Sequence, residues 1–145
     1  MLHKIKTALI SVSDKKELAS ILKILKKHRI KIISSGGTYS AIKRLGYSCT
    51  EVSAYTGFKE ILDGRVKTLH PKIHAGILHD RSSKKHSAEM NKQKFLSIDL
   101  IIVNFYPFQK IVTNSINNKE IIENIDIGGP TMVRAAANNF KNVLI

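Results

Sequence analysis

The sequence predicts an α/β domain with a mainly parallel sheet. Three observations carry that expectation. Short apolar runs recur at 7–12 (TALISV), 31–34 (KIIS) and 99–105 (DLIIVNF), each of a length that suits a buried strand. Between them lie segments whose apolar residues repeat at helical spacing. The runs end in small or polar residues, and strands that alternate with helices build parallel sheets through crossover connections.

In chain order, the strand at 7–12 leads to Ser13, which reads as the cap of a helix starting at Asp14, where a carboxylate suits the helix N-terminus. Leu18, Ile21, Leu22 and Leu25 give that helix its apolar stripe, and Lys26, Lys27, His28 and Arg29 collect at its C-terminal end. The strand at 31–34 runs into Ser35-Gly36-Gly37-Thr38, then a helix over 39–45 that Gly46 ends with a left-handed cap. Residues 48–52 read as a third strand, and 55–64 as turns with one helical turn at 58–62. Pro71 is expected to keep a helix from running through 64–78, while 73–78 reads as strand or short helix. A loop and surface helix fill 81–95. Beyond the strand at 99–105 come helices at 119–125 and 131–139, separated by a tight loop at 126–130. The last residues, 142–145, open a further apolar run, so the chain reads as one domain, 1–145, that continues past its last residue.

Composition narrows the function classes. Hydrophobic residues make up 43% and charged residues 24%, as in a folded globular chain. No apolar run is long enough for a bilayer, and the N-terminus lacks a signal-peptide core, so no membrane is expected. Cys49 is the only cysteine, which excludes an internal disulfide and fits a reducing compartment, with cytoplasm as the expected location. The net charge of +13 admits nucleic acid or an acidic small molecule as partner. The lysines, however, are spread over exposed helix positions such as Lys26, Lys27, Lys92 and Lys94. Aromatics are only 6%, with no Trp, which disfavours a stacking surface for single strands. No nucleic-acid partner is expected.

Four stretches are expected to end at or follow strand tips: Ser11 to Lys15 (SVSDK), Ser34 to Thr38 (SSGGT), Gly64 to Thr68 (GRVKT) and Val103 to Pro107 (VNFYP). In an open parallel sheet, ligands bind beyond the carboxyl ends of the strands, so these stretches are expected to share one crevice. Gly36 and Gly37 allow close backbone approach at a helix start whose N–H groups are free, and Ser35 and Thr38 add hydroxyls. That cradle suits a phosphomonoester. It lacks the Lys-Ser/Thr of a P-loop and the spacing of a dinucleotide fingerprint. Arg65 and Lys67 alternate with Val66, so an extended backbone puts both cations on one face, beside Thr68. Lys15 offers a second phosphate contact or is a surface lysine. Asn104 offers donor and acceptor to an amide or purine edge. Tyr106 can donate a proton or stack, and Asp126 can act as base or as a helix cap. His70 and His74 are four apart, but Pro71 and the lack of partner ligands argue against a metal. Cys49 has no basic neighbour in sequence, so covalent catalysis is not expected.

SVSDK, SSGGT, GRVKTLHPKIHAGIL, NFYPF and ENIDIGGPTMVRAAA, in this order, resemble the N-terminal domain of the bifunctional purine biosynthesis proteins, which join inosine monophosphate (IMP) cyclohydrolase to phosphoribosylaminoimidazolecarboxamide formyltransferase. The resemblance implies a methylglyoxal-synthase-like three-layer fold that carries the cyclohydrolase. The formyltransferase region and its 10-formyltetrahydrofolate would lie outside this chain. It implies a homodimer, no cofactor for the cyclohydrolase step, and a purine ribonucleotide as ligand. By match to the family pattern, substrate contacts fall on Ser11, Ser13, Asp14, Lys15, Ser35, Gly36, Gly37, Thr38, Arg65, Val66, Lys67, Thr68, Val103, Asn104, Asp126 and Ile127. Lys67, Tyr106 and Asp126 match residues implicated in ring closure. A fourth catalytic position departs from the pattern: Asn138 stands where the family has a proton-donating lysine, and an amide cannot ionise. The implied reaction is closure of the formamido imidazole carboxamide ribonucleotide to IMP with loss of water. A nucleotide-binding domain without turnover stands beside it as an alternative, and a basic nucleic-acid-binding domain as a remote one.

Overall fold

The computed structural model describes residues 4–145. Its centre is a sheet of four parallel strands, β1 (Thr7–Ser11), β2 (Lys31–Ser34), β3 (Thr50–Glu51) and β4 (Leu100–Val103), in the order β3-β2-β1-β4. Side chains alternate across it, as a strand's period of two requires. Ala8, Ile10 and Ile32 face one way, against helices α1 (Leu18–Lys27) and α2 (Gly36–Arg44). Leu9, Ile33 and Ile101 face the other, against α4 (Pro71–Leu78) and α8 (Gly128–Asn138). The result is three layers with a core on each face of the sheet. Leu144 adds a parallel bridge beside Leu100, at the outer edge of β4.

Several elements differ from the sequence expectation, each for a visible reason. Helix α1 starts at Leu18, not Asp14: the backbone N–H groups of Ser13 and Asp14 both donate to Asn104 Oδ1 (2.6 and 3.1 Å), which ties them to the loop after β4, and a turn closed by the Leu18 N–H on Lys15 O at 3.1 Å precedes the helix. Helix α2 begins at Gly36, so the paired glycines form its first turn. The third strand is only two residues long, because Val52 is buried and opens α3 (Val52–Thr56). The helical turn expected at 58–62 is replaced by a 3-10 turn at Leu62–Gly64. Pro71 starts α4, where a missing N–H costs nothing; His70 caps it by accepting the Lys72 N–H on Nδ1 at 3.0 Å. His70 therefore precedes the helix that carries His74, and the two are not a ligand pair on one helix face. Gly46, with φ +79, lies just past α2 as the sequence suggests.

The surface helix is α5 (Lys84–Lys92), capped by Ser83. Beyond β4 the chain forms α6 (Phe108–Asn114), which no sequence signal announced, and α7 (Asn118–Glu123). The helix expected at 119–125 is α7, and neither it nor α6 contains a buried residue. Among the described residues, no helix is long and apolar enough to cross a membrane.

Candidate functional site

Strand β1 pairs with β2 on one side and β4 on the other, so the loops leaving β1 and β4 part in opposite directions. A crevice must open there, beyond the carboxyl ends of the strands. It holds a cavity of about 450 Å³. Ser11, Val12, Ser13 and Lys15 line it from the β1 end, and Ser35 to Thr38 from the β2 end. Gly64, Arg65, Lys67 and Thr68 form a third wall; Asn104, Tyr106 and Asp126 to Gly129 form the fourth. Of the residues marked in the sequence, Asp14, Val66, Val103 and Asn138 do not line it. Asp14 points its carboxylate toward Lys16 at 3.9 Å, Val66 forms a lone antiparallel bridge with Ile61, and Val103 packs on the core. Asn138 is the last residue of α8, whose first residues line the cavity. At about 1.5 Å per residue it lies roughly 15 Å away along the helix axis.

The glycine turn is locked to β1 from within. Thr38 Oγ1 donates to Val12 O at 2.9 Å and accepts from Val12 N–H at 3.1 Å, and the buried Ser34 hydroxyl donates to Ile10 O at 2.7 Å. Thr38 is therefore structural, whereas Ser35 makes no capping bond with its hydroxyl. Gly36 has φ +53, a conformation that favours glycine. A Cβ there would lie 2.9 Å from Lys67 Nζ, and one at Gly37 would lie 4.0 Å from Lys15 Nζ. Two ammonium groups from two separate loops thus stand over the start of α2, where backbone N–H groups already favour an anion.

The basic loop reaches this place by another route than an extended strand. Arg65 has a helical conformation after the 3-10 turn, and Gly64 has φ +86. The Lys67 side chain folds back over Gly64, so a Cβ at Gly64 would meet Lys67 Cε at 2.3 Å and Glu60 Oε1 at 2.4 Å. Lys67 Nζ pairs with Glu60 Oε1 at 2.9 Å, and Arg65 pairs with Glu123. Lys15 Nζ donates to Val12 O and Ser13 O at 3.1 and 3.0 Å.

On the fourth wall, Asn104 turns its Oδ1 and one N–H of Nδ2 to the loop after β1, with Nδ2 donating to Asp14 O at 2.9 Å. It therefore positions Ser13 and Asp14 and keeps one Nδ2 N–H as its remaining donor. Asp126 Oδ1 accepts the Gly129 N–H at 3.0 Å, which fixes the carboxylate at the start of α8. Gly129 is packed so that a Cβ would meet Asp126 Oδ2 at 2.7 Å and the Phe105 ring at 3.0 Å. Gly128 similarly has no room beside Thr68 Oγ1. The Tyr106 ring is half exposed at the mouth.

Sequence reasoning placed Gly64 in the expected crevice as the first residue of GRVKT, but missed Gly128 and Gly129 as wall residues, although Gly128 directly follows the marked Ile127. It also missed Glu60 and Glu123. No local pattern announces them, because Arg65 and Glu123 meet across 58 positions. A second cavity, of about 490 Å³, lies beside β2 and β3, with Cys49 in its wall. Burial pushes that thiol up to about 11, so it stays protonated and unreactive near neutral pH.

A family profile described as the MGS-like domain matches residues 17–131. The chain belongs to the MGS-like domain family. As an MGS-like domain it is 50% identical over 143 residues to the bifunctional purine biosynthesis protein PurH of Leptospira biflexa, a match that covers 98% of this chain and 28% of that protein. The PurH proteins of Clostridium kluyveri and Rhodospirillum rubrum are 51% and 49% identical over 141 and 147 residues, again over 28% of their length. This MGS-like domain thus spans little more than a quarter of the curated relatives it matches. Among solved structures, the crystal structure of ForH superposes with a TM-score of 0.81 at 29% identity, covering 96% of this chain and 71% of that one.

Proposed function

We propose that this MGS-like domain binds a purine ribonucleotide and carries out IMP cyclohydrolase chemistry, closing the formamido imidazole carboxamide ribonucleotide to IMP. The observation that carries the reading is the meeting of Lys15 and Lys67 over the glycine start of α2, in one cavity with Tyr106 and Asp126. The bifunctional purine biosynthesis relatives support the same pathway.

In this reading the phosphate rests on the N–H groups of the first turn of α2, with Ser35, Lys15 and Arg65 around it. The carboxamide nitrogen forms a bond to the formyl carbon and gives up one proton, the formamido nitrogen gives up another, and the formyl oxygen takes up both and leaves as water. Asp126 holds the carboxamide and accepts its proton, and Tyr106 relays one to the departing oxygen. Lys67 stands with the phosphate as placed; to steady charge on the formyl oxygen it leaves Glu60 and turns inward. The step is redox-neutral and condenses two groups of one molecule, so it calls for no redox cofactor. The formyl transfer that makes the substrate, with its 10-formyltetrahydrofolate, is assigned to the remainder of a PurH-like protein, and homodimerisation is part of the proposal.

The test is turnover. The purified chain is given the formylated ribonucleotide, and IMP is followed by absorbance and chromatography. IMP formation that is lost in Lys67→Ala and Asp126→Asn, each by about 10²-fold or more, supports the reading. A second reading is favoured by Asn138: a domain that binds the nucleotide without turnover. Saturable IMP binding with no product at any substrate concentration selects it.

A further inference from the structure

Three cations face the cavity, and each is already held. Lys15 is bound to two carbonyls of its own loop, Lys67 to Glu60, and Arg65 to Glu123. With Asp126, the rim carries as many carboxylates as cations, although the whole chain carries +13. An arriving phosphomonoester, with nearly two negative charges, therefore meets paired cations. It must take them from carboxylates that otherwise stay close and repel it.

The carboxylates differ in how firmly they are held. Asp126 is fixed at the start of α8 by the Gly129 N–H. Glu123 is the last residue of α7, and neither α7 nor its neighbour α6 buries a single residue. The apolar side chains on and beside this hairpin face solvent, with Ile116 fully exposed and Ile122 and Ile125 more than half exposed. Those two isoleucines also line the cavity. A hairpin without buried side chains opens at little cost, so Glu123 can yield together with its whole hairpin.

We infer that Glu123 is a displaceable latch: it occupies Arg65 until a phosphomonoester replaces it, and the α6–α7 hairpin moves away with it. Glu123 is thus a positioning residue that sets affinity for the phosphate and couples binding to the mouth of the cavity. The inference rests on the nucleotide-binding reading above. Because the pair is partly exposed, removing the competitor is expected to raise affinity by about twofold to fivefold, and less at high salt.

Calorimetry with IMP and with inorganic phosphate tests this on the wild-type chain, Glu123→Gln and Glu89→Gln. Glu89 is an exposed residue of α5 outside the cavity, so its variant changes net charge equally without touching the latch. Glu123→Gln is expected to bind both probes about twofold to fivefold more tightly, and Glu89→Gln as the wild type does. Amide hydrogen exchange over 108–123 is expected to speed up when IMP binds the wild type, and to be fast already in free Glu123→Gln. Equal or weaker binding by Glu123→Gln, an equal gain in Glu89→Gln, or unchanged exchange over 108–123 overturns the latch and leaves the nucleotide site standing. Failure of wild type and Glu123→Gln alike to bind IMP overturns the nucleotide site, and the latch with it.

Discussion

The molecule uses ion pairs at both ends of its sheet, and it uses them differently. At the carboxyl end of the strands, Arg65–Glu123 and Lys67–Glu60 lie open to solvent, with side chains 53 and 44%, and 28 and 42%, exposed. At the amino end, Arg81 and Asp99 pair at 3.0 Å with only 20 and 12% exposure. Asp99 Oδ2 also accepts the N–H groups of Lys6 and Thr7 at 2.8 and 3.0 Å, and Arg81 Nη2 donates to Ile98 O at 2.9 Å. Nearby, the buried Asn139 donates to Ile77 O and His79 O at 2.7 and 3.0 Å, tying α8 to the end of α4. A buried charge is costly to strip of its partner, the more so here because Arg81 Nε is buried without a hydrogen-bond partner; an exposed charge exchanges partners at little cost. The amino end fixes the fold, and the carboxyl end is free to trade its partners for a ligand.

The largest effect should therefore fall on the fixed end. Asp99→Ala is expected to destabilise the domain by about 3 kcal/mol or more in urea unfolding, whereas Glu123→Ala should cost less than about 1 kcal/mol. Similar losses for the two would erase the contrast. Next comes Gly64→Ala. It forces a left-handed alanine and drives Lys67 off the cradle, so IMP affinity should fall about tenfold or more while the far-ultraviolet circular dichroism stays native. Unchanged affinity would remove Lys67 from the phosphate site.

A smaller effect is expected from pH. His79 is buried, with Nδ1 3.1 Å from Ala75 O and Nε2 3.2 Å from the Ser97 hydroxyl, so Nδ1 carries the proton and Nε2 accepts. Burial pulls its pKa below the ordinary histidine value. The unfolded chain then binds the proton first as pH falls. The His79 contribution is complete above about pH 6.5 and is lost as pH drops toward the folded value. Urea midpoints at pH 7.5 and 5.5 should differ more for the wild type than for His79→Gln; an equal or larger difference in the variant contradicts this. The smallest effect belongs to Asn138→Lys. From the far end of α8, its side chain should leave IMP affinity of the isolated chain within about twofold. A tenfold change would place residue 138 in the cavity.

Much of this was legible in the sequence because it is written locally. The strands read at 7–12 and 31–34 are short, largely apolar runs, and they appear as β1 (Thr7–Ser11), one residue shorter, and β2 (Lys31–Ser34). The glycine pair and the basic stretch carry their chemistry in adjacent letters, and both line one cavity. What escaped depends on partners distant in sequence. Ser13 reads as a cap, but the helix starts five positions later, and Asn104, 91 positions away, holds the Ser13 N–H. Pro71 reads as a breaker until the helix is found to begin on it. Helix α6 buries nothing and leaves no stripe to read, and although a helix at 119–125 was legible, Glu123 of α7 becomes meaningful only when the fold carries it to Arg65.

The central claim is that the start of α2 and the loop at 64–68 grip one nucleotide. Titration of the ¹⁵N-labelled chain with IMP, followed by amide shifts, tests it most directly. Saturable shifts are expected, largest at Gly36, Gly37 and Thr38 and over 65–68. Shifts centred on the cavity beside β2 and β3, around Tyr47 to Thr50, or none that saturate, would contradict it.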